Sequence, residues 1–124
     1  MLEFFKCKHC GQIIKKVRAT QAPVFCCGEK MEVVTPNTTD AALEKHVPVI
    51  EINGKEVVVT VGSTHHPMVE EHYIEWVILE TDKGSYKMNL KPNDKPVAIF
   101  HLRDGEEVLH AYEYCNLHGL WMTK

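Results

Sequence analysis

Two groupings of metal-binding side chains stand out in this 124-residue chain. Cys7 and Cys10 form a C-x-x-C, while Cys26 and Cys27 are adjacent and precede Gly28. Thiolate is the soft ligand that suits iron, zinc and copper(I). Four thiolates fill a tetrahedral shell and leave no open position, so such a site is structural or passes electrons. Adjacent cysteines are unusual for a zinc ribbon, whose second pair is normally also C-x-x-C. Neighbouring residues on one ion must bend the backbone between them. A zinc staple is the plain alternative for this group. His9, inside the first loop, reads as an exposed side chain rather than a ligand.

The fifth cysteine stands far away, in Cys115-Asn116-Leu117-His118, in a chain with eight histidines. His46 sits before a run of strand-like segments. His65 and His66 lie in a loop, and His72 begins a long apolar segment. Loops at one end of a sandwich converge, so these residues are candidates for one shared metal. Four neutral imidazoles and one thiolate suit iron and leave one octahedral position open. Either His65 or His66 satisfies this reading. His101 and His110, alone on strands, read as ordinary surface or core residues. One saturated and one unsaturated metal site together make a candidate redox enzyme.

The elements that must position these residues read as strands. Short segments at 2–5, 13–17 and 23–25 surround the first four cysteines. A unit this small buries little surface, so a structural metal supplies much of its folding free energy. The polar stretch 35–40 reads as a linker, with one helical turn expected over 40–45, capped by Thr39 or Asp40. Strands are expected at 47–52 and 56–61 around Asn53-Gly54, a hairpin turn pair. Val57, Val59 and Val61 alternate onto one face. The segment 72–81 is apolar on both parities, with Ile74, Trp76 and Ile78 on one and Tyr73, Val77 and Leu79 on the other. That pattern marks a central strand or a contact between copies. Strands at 85–90, 97–102, 108–114 and 120–122 follow, with 97–102 and 108–114 expected to form a hairpin over Asp104-Gly105. About seven short strands with regular turns fit a β-sandwich.

Composition narrows the function classes. A hydrophobic fraction of 44% supports a packed core. No apolar run approaches the roughly 20 residues of a membrane helix, and the N-terminus lacks a secretory pattern. Free thiols then fit a reducing cytoplasm and metal ligation rather than disulfides. The net charge of −3 divides into +3 over residues 1–34 and −6 over the rest. Neither half is basic enough to suggest nucleic acid.

Several motifs in order resemble desulfoferrodoxin, the two-iron form of superoxide reductase. They are Cys7-Lys8-His9-Cys10-Gly11, Cys26-Cys27-Gly28, Glu44-Lys45-His46-Val47-Pro48, His66-Pro67-Met68, His72-Tyr73-Ile74-Glu75-Trp76 and Cys115-Asn116-Leu117-His118-Gly119-Leu120-Trp121. The resemblance covers nearly the whole chain. It implies an all-β protein: a desulforedoxin-like module over residues 1–36 and an immunoglobulin-like sandwich over residues 37–124, usually as a homodimer. It also implies two irons per chain. Cys7, Cys10, Cys26 and Cys27 would hold a rubredoxin-like Fe(Cys)4 centre. His46, His66, His72 and His118 would be equatorial ligands of the catalytic iron, and Cys115 its axial ligand. His66 is chosen over His65 because it precedes Pro-Met, as in the family. The implied reaction adds one electron and two protons to superoxide and yields hydrogen peroxide. Lys45 would attract the anion, and Glu44 would occupy the sixth position of ferric iron and leave on reduction. A rubredoxin-like protein would supply electrons.

Two other readings compete. One is a non-enzymatic zinc-ribbon and sandwich binding module. The other is a two-iron electron carrier or sensor without a substrate. Zinc is colourless and redox-inert, so metal content separates the first from the reductase.

Overall fold

The computed structural model describes residues 1–40 and 45–123. These residues are all-β and fall into two compact units, Met1–Thr35 and Pro36–Lys124.

The first unit contains β1 (Phe4–Lys6), β2 (Ile13–Lys15), β3 (Phe25–Cys26), β4 (Glu29–Lys30) and β5 (Glu32–Val34). β1 lies between β2 and β5 in an antiparallel sheet, and β3 pairs with β4. β4 and β5 follow the cysteine pair in a segment whose sequence gives little strand signal. The buried side chains here are Phe4, Cys7 and Met31. Lys16 braces the loop after β2. Its ammonium donates to the carbonyls of Thr20 (3.0 Å) and Ala22 (2.8 Å) and lies 5.0 Å from the centre of the Phe5 ring.

The second unit is a sandwich of seven strands. β6 (Pro48–Asn53), β7 (Glu56–Val61) and β10 (Val97–His101) form one sheet in the order β10-β7-β6. β8 (Ile74–Thr81), β9 (Gly84–Asn89), β11 (Val108–Cys115) and β12 (Gly119–Met122) form the other in the order β12-β11-β8-β9. Val57, Val59, Val61, Ala98 and Phe100 of the first sheet pack with Ile74, Val77, Leu79, Ala111 and Cys115 of the second. Burying a side chain of the Val or Leu class stabilises by about 1.5–3 kcal/mol, so this core holds the sandwich together. The cysteine of the second cluster is a member of that core.

Four details depart from the sequence expectation. β10 and β11 do not form a hairpin: β10 pairs with β7 and β11 with β8 and β12. The Asp104-Gly105 turn therefore carries the chain from one sheet to the other. The first hairpin exists, but Asn53 pairs with Glu56, so the central residues are Gly54 and Lys55. Gly54 has φ +64 and Lys55 keeps a negative φ, the pattern of a II′ turn. The parity of β8 also breaks. Tyr114 faces Trp76 while Cys115 faces Ile74, which leaves Glu75 as an extra residue. This bulge turns Ile74 into the core with Val77 and Leu79 and re-aims the start of the strand, where His72 lies. Finally, the stretch taken as a linker is partly structured. Asn37 N–H donates to Leu120 O at 3.0 Å, and Met122 N–H donates to Asn37 O at 2.9 Å, extending the sheet beside β12. The helical turn expected over 40–45 falls mostly on residues 41–44, outside the described residues, as does Glu44.

Candidate metal centres

In the first unit, tight turns bring four sulfurs together. The first loop closes between β1 and β2, where Gly11 N–H donates to Cys7 O and Cys7 N–H donates to Gln12 O, both at 2.9 Å. The second turn has Cys27 at φ +52 followed by Gly28 at φ +76. Left-handed backbone at a non-glycine residue is uncommon, and here it is the bend that adjacent ligands demand. The Sγ atoms of Cys10 and Cys26 are 3.6 Å apart, and those of Cys26 and Cys27 are 4.0 Å apart. Tetrahedral sulfurs about 2.3 Å from one ion would be about 3.8 Å apart, so the group fits a metal. All four sulfurs lie within 4.8 Å of one another, and none of the five cysteines is in a disulfide.

Electrostatics favours a cation at the same place. The Cys10 amide approaches Cys7 Sγ at 3.5 Å and draws that thiol down to about 6. Cys26, crowded by the sulfurs of Cys10 and then Cys7, is pushed up to about 12, and Cys27 is raised as well. Several thiolates this close repel one another unless a positive ion lies between them. His9 is exposed and lies 3.2 Å from Glu29 Oε1, while Lys8 Nζ lies 3.2 Å from the other oxygen, Oε2.

The second cluster sits at one end of the sandwich. His46 precedes β6, His66 follows β7, His72 precedes β8, Cys115 ends β11, and His118 lies in the turn before β12. One ligand atom from each lies within 4.8 Å of every other. Ring centres are 4.6 Å apart from His46 to His66, 4.6 Å from His66 to His72, 5.1 Å from His72 to His118 and 5.0 Å from His118 to His46. The four imidazoles thus form a closed square. Cys115 Sγ is 3.7 Å from His66 Nε2 and 3.8 Å from His118 Nδ1, two opposite corners. A sulfur equidistant from opposite corners lies on the plane that contains the axis of the square, and it is within 4.8 Å of the other two ligand nitrogens. The Nε2 atoms of His46 and His66 are 3.1 Å apart. Nitrogens at right angles about 2.1 Å from an ion would be about 3.0 Å apart, and opposite ones about 4.2 Å. The donor set, four imidazole nitrogens and one thiolate, fits a single metal ion.

Surrounding groups fix these orientations. His66 Nδ1 lies 2.7 Å from Pro67 O. A carbonyl only accepts, so the ring proton is on Nδ1 and the Nε2 lone pair faces the cluster. Trp121 stacks on His46 at 4.6 Å and 12°, and its indole N–H donates to His118 O at 3.2 Å. Asp40 accepts hydrogen bonds from the amides of His46 (2.6 Å) and Val47 (2.9 Å). His46, His66 and Cys115 are buried, His72 is half-buried and His118 is exposed, so the cluster opens to solvent on one side.

Among the other sequence candidates, Lys45 is half-buried next to His46, while His65 is exposed and outside the cluster. His101 is exposed, and His110 lies beside the Tyr112 ring on β11. Sequence reasoning missed Glu113. Its side chain is fully buried two residues before Cys115, opposite Val77 and Trp121. Burial first, and the charge of Asp40 second, push its carboxyl up to about 9, so it is neutral at pH 7. The available signal was parity: Glu113 shares the inward face of β11 with Ala111 and Cys115.

A four-thiolate group in a small β unit, with a square of imidazoles capped by a thiolate in a β-sandwich, defines a two-site metalloprotein suited to redox chemistry. The family model for desulfoferrodoxin matches residues 38–124, and the chain belongs to that family. It is 50% identical over 122 residues to the desulfoferrodoxin of Nitratidesulfovibrio vulgaris, covering 98% of this chain and 95% of the relative. The crystal structure of the superoxide reductase from Treponema pallidum superimposes with a TM-score of 0.85 at 41% identity, covering 100% of this chain and 98% of that one. A superoxide reductase (1Fe-SOR) from Giardia intestinalis aligns with a TM-score of 0.55 at 36% identity, covering 64% of this chain and 95% of that one.

Proposed function

We propose that this protein is a superoxide reductase with two irons per chain, one held by Cys7, Cys10, Cys26 and Cys27, the other by His46, His66, His72, His118 and Cys115. The observation that carries this reading is the square of four imidazoles with a thiolate equidistant from two opposite corners. Bound there, ferrous iron supplies the single electron that, with two protons, converts superoxide to hydrogen peroxide.

The chain's own residues divide the remaining work. Cys115 is the one anionic donor of its set, and the core around it excludes water from the sulfur. Its thiolate would donate electron density to an iron held there. Neutral imidazoles keep the rest of the set uncharged, so the site does not repel an anion. Lys45, next to His46, draws superoxide toward a unit whose net charge is otherwise negative, and its ammonium orders a water for proton delivery. Glu44 is the carboxylate assigned to the open position in the resting state. The four-thiolate centre passes electrons or serves as structure, and a rubredoxin-like protein is the external donor. The enzyme works as a homodimer in the cytoplasm. Val17, Phe25 and Val33 of the first unit are exposed and available to a second copy, and five cysteines outside disulfides suit a reducing compartment.

The test joins metal analysis, stepwise reduction and pulse radiolysis on one purified sample. Two irons per chain, two thiolate-to-iron bands bleaching at separate potentials and a fast second-order reaction with superoxide are expected. A colourless protein holding only zinc after iron-replete expression would overturn the proposal. Sedimentation of the same sample tests the dimer.

A further inference from the structure

We infer that Asn116 is a positioning residue that locks the Cys115–His118 turn to the loop carrying His72, and so sets the height of the thiolate over the imidazole square. The inference rests on the reading that these residues share one metal.

Asn116 makes three hydrogen bonds across the site, all to the residues on either side of His72. Its Oδ1 accepts from Tyr73 N–H at 3.0 Å. Its Nδ2 donates to Glu71 O at 3.0 Å. Its own backbone N–H donates to Tyr73 O at 3.2 Å. The side-chain amide therefore spends one end on each neighbour of a ligand. It follows the axial ligand directly and precedes His118 by two residues.

The backbone explains why a staple is needed at this point. β11 ends at Cys115 and β8 begins at Ile74, the last residues that face one another. Beyond them one bond, Asn116 N–H to Tyr73 O, is the last backbone link between the two segments among the described residues, and His72 lies just past it. Locally, His72 is held by a tight pair with Val69, N–H to O in both directions at 3.0 and 3.1 Å. That pair fixes the loop's shape but not its distance from Cys115. Asn116 supplies the missing connection, acting as a side-chain extension of the ladder. The bulge at Glu75 makes this more important, because it frees the start of β8 from the regular pleat.

The chemistry of the amide is specific. Aspartate at 116 would keep an acceptor for Tyr73 N–H but set a carboxylate oxygen against Glu71 O. Leucine has similar size and offers neither bond. Groups that orient ligands from outside the donor set typically account for 10–100-fold in metal affinity.

The experiment uses full-length protein, wild type, Asn116→Asp and Asn116→Leu, stripped and reloaded with Fe(II) or Co(II). Chelator competition gives the affinity of each site, and the thiolate-to-metal absorption of the second site reports the sulfur's position. The expected result is a 10–100-fold loss of affinity and a shifted or broadened thiolate band at the second site in Asn116→Leu, with a smaller change in Asn116→Asp. The four-thiolate centre, the far-UV circular dichroism and the melting of the metal-free chain should match wild type. A residue that merely supports the fold would change the circular dichroism or lower the melting of the metal-free chain and leave the band position of the loaded fraction alone. An unchanged band and affinity in folded Asn116→Leu overturns the inference. Should that variant not fold, wild-type affinity and spectrum in Asn116→Asp do the same. Wild type that takes up no metal at the second site would instead remove the shared-metal reading and this inference together.

Discussion

The two thiolate clusters are set in contrasting surroundings. In the first unit Cys10 and Cys27 are exposed, few side chains are buried, and the strands are two or three residues long. Its cysteines sit on turns with left-handed backbone at Gly11, Cys27 and Gly28. In the sandwich Cys115 is part of a core that exists without it, and three of the four histidines are at least partly shielded. The first unit uses its metal to be folded. The second is folded already and holds its ligands in loops at the end of a rigid frame, where one coordination position can be left for a substrate. Symmetric soft ligands therefore go with closure, and mixed ligands on a separate scaffold go with reactivity.

The largest effect expected from this contrast is on the first unit. Structural metal sites contribute on the order of 10 kcal/mol or more to small domains. Cys26→Ser should abolish the first centre's colour and collapse amide-exchange protection over residues 1–34. Protection in β7, β8 and β11 should remain, as should the second centre's thiolate band. Simultaneous loss of both centres in this variant would show that the units do not fold separately, and the contrast would fail.

Gly62 gives the complementary break in the sandwich. It has φ +83, and a Cβ there would overlap Lys45 O and lie 2.5 Å from Thr64 O. These are backbone atoms and cannot swing aside. Gly62→Ala combines left-handed strain with overlap, costing about 3 kcal/mol or more. It should displace the Lys45-His46 segment, weakening the second metal site while the first keeps its spectrum. Metal titration of the variant against wild type checks this. Lys45→Ala is milder, because it removes a charge and no ligand. Both irons should stay, and the rate with superoxide at low salt should fall by roughly tenfold, the gap closing as salt rises. An unchanged rate would exclude Lys45 from steering.

How much of this was legible in the chain follows from the same contrast. The four cysteines of the first set were readable because C-x-x-C and an adjacent pair are local signals, whereas the second set was only a group of candidates, open between His65 and His66, until the resemblance to desulfoferrodoxin selected its members. The seven strands of the sandwich were readable because Val57, Val59 and Val61 alternate, and because turns such as Asn53-Gly54 interrupt the apolar runs. The partnership of the strands was not. A strand's parity says which face is buried and nothing about which neighbour it pairs with, so β10 and β11 looked like a hairpin. The Glu75 bulge left no local mark, since Ile74, Trp76 and Ile78 alternate perfectly well as a sequence. Asn37 beside β12 and the bonds of Asn116 are contacts over long sequence separation, invisible to any window. Glu113 was visible by parity alone, but a carboxyl on an inward face reads as an error until its burial is known.

The smallest expected effect lies in the sandwich away from the cluster, around Glu106. Its carboxylate accepts from Thr81 Oγ1 (2.5 Å), Tyr86 OH (2.5 Å) and the Arg103 amide (2.9 Å), tying the crossover between the sheets to β8 and β9. These bonds, Thr81's first, hold its pKa down to about 2, and Tyr86 is raised in turn. A carboxyl whose folded pKa is depressed contributes stability above its unfolded pKa of 4.5, and that contribution disappears as pH falls toward 2. Glu106→Gln keeps the shape and removes the charge. Its sandwich should melt below wild type at pH 7, and the two curves should converge between about pH 5 and pH 2. Both metal centres should be unaffected at neutral pH, because this network gathers at the Thr81 end of β8, the opposite end of the strand from His72. A Glu106→Gln variant that loses the second centre's thiolate band at pH 7 would show that the frame and the reactive loops are one cooperative unit, and the separation of scaffold from chemistry would have to be given up.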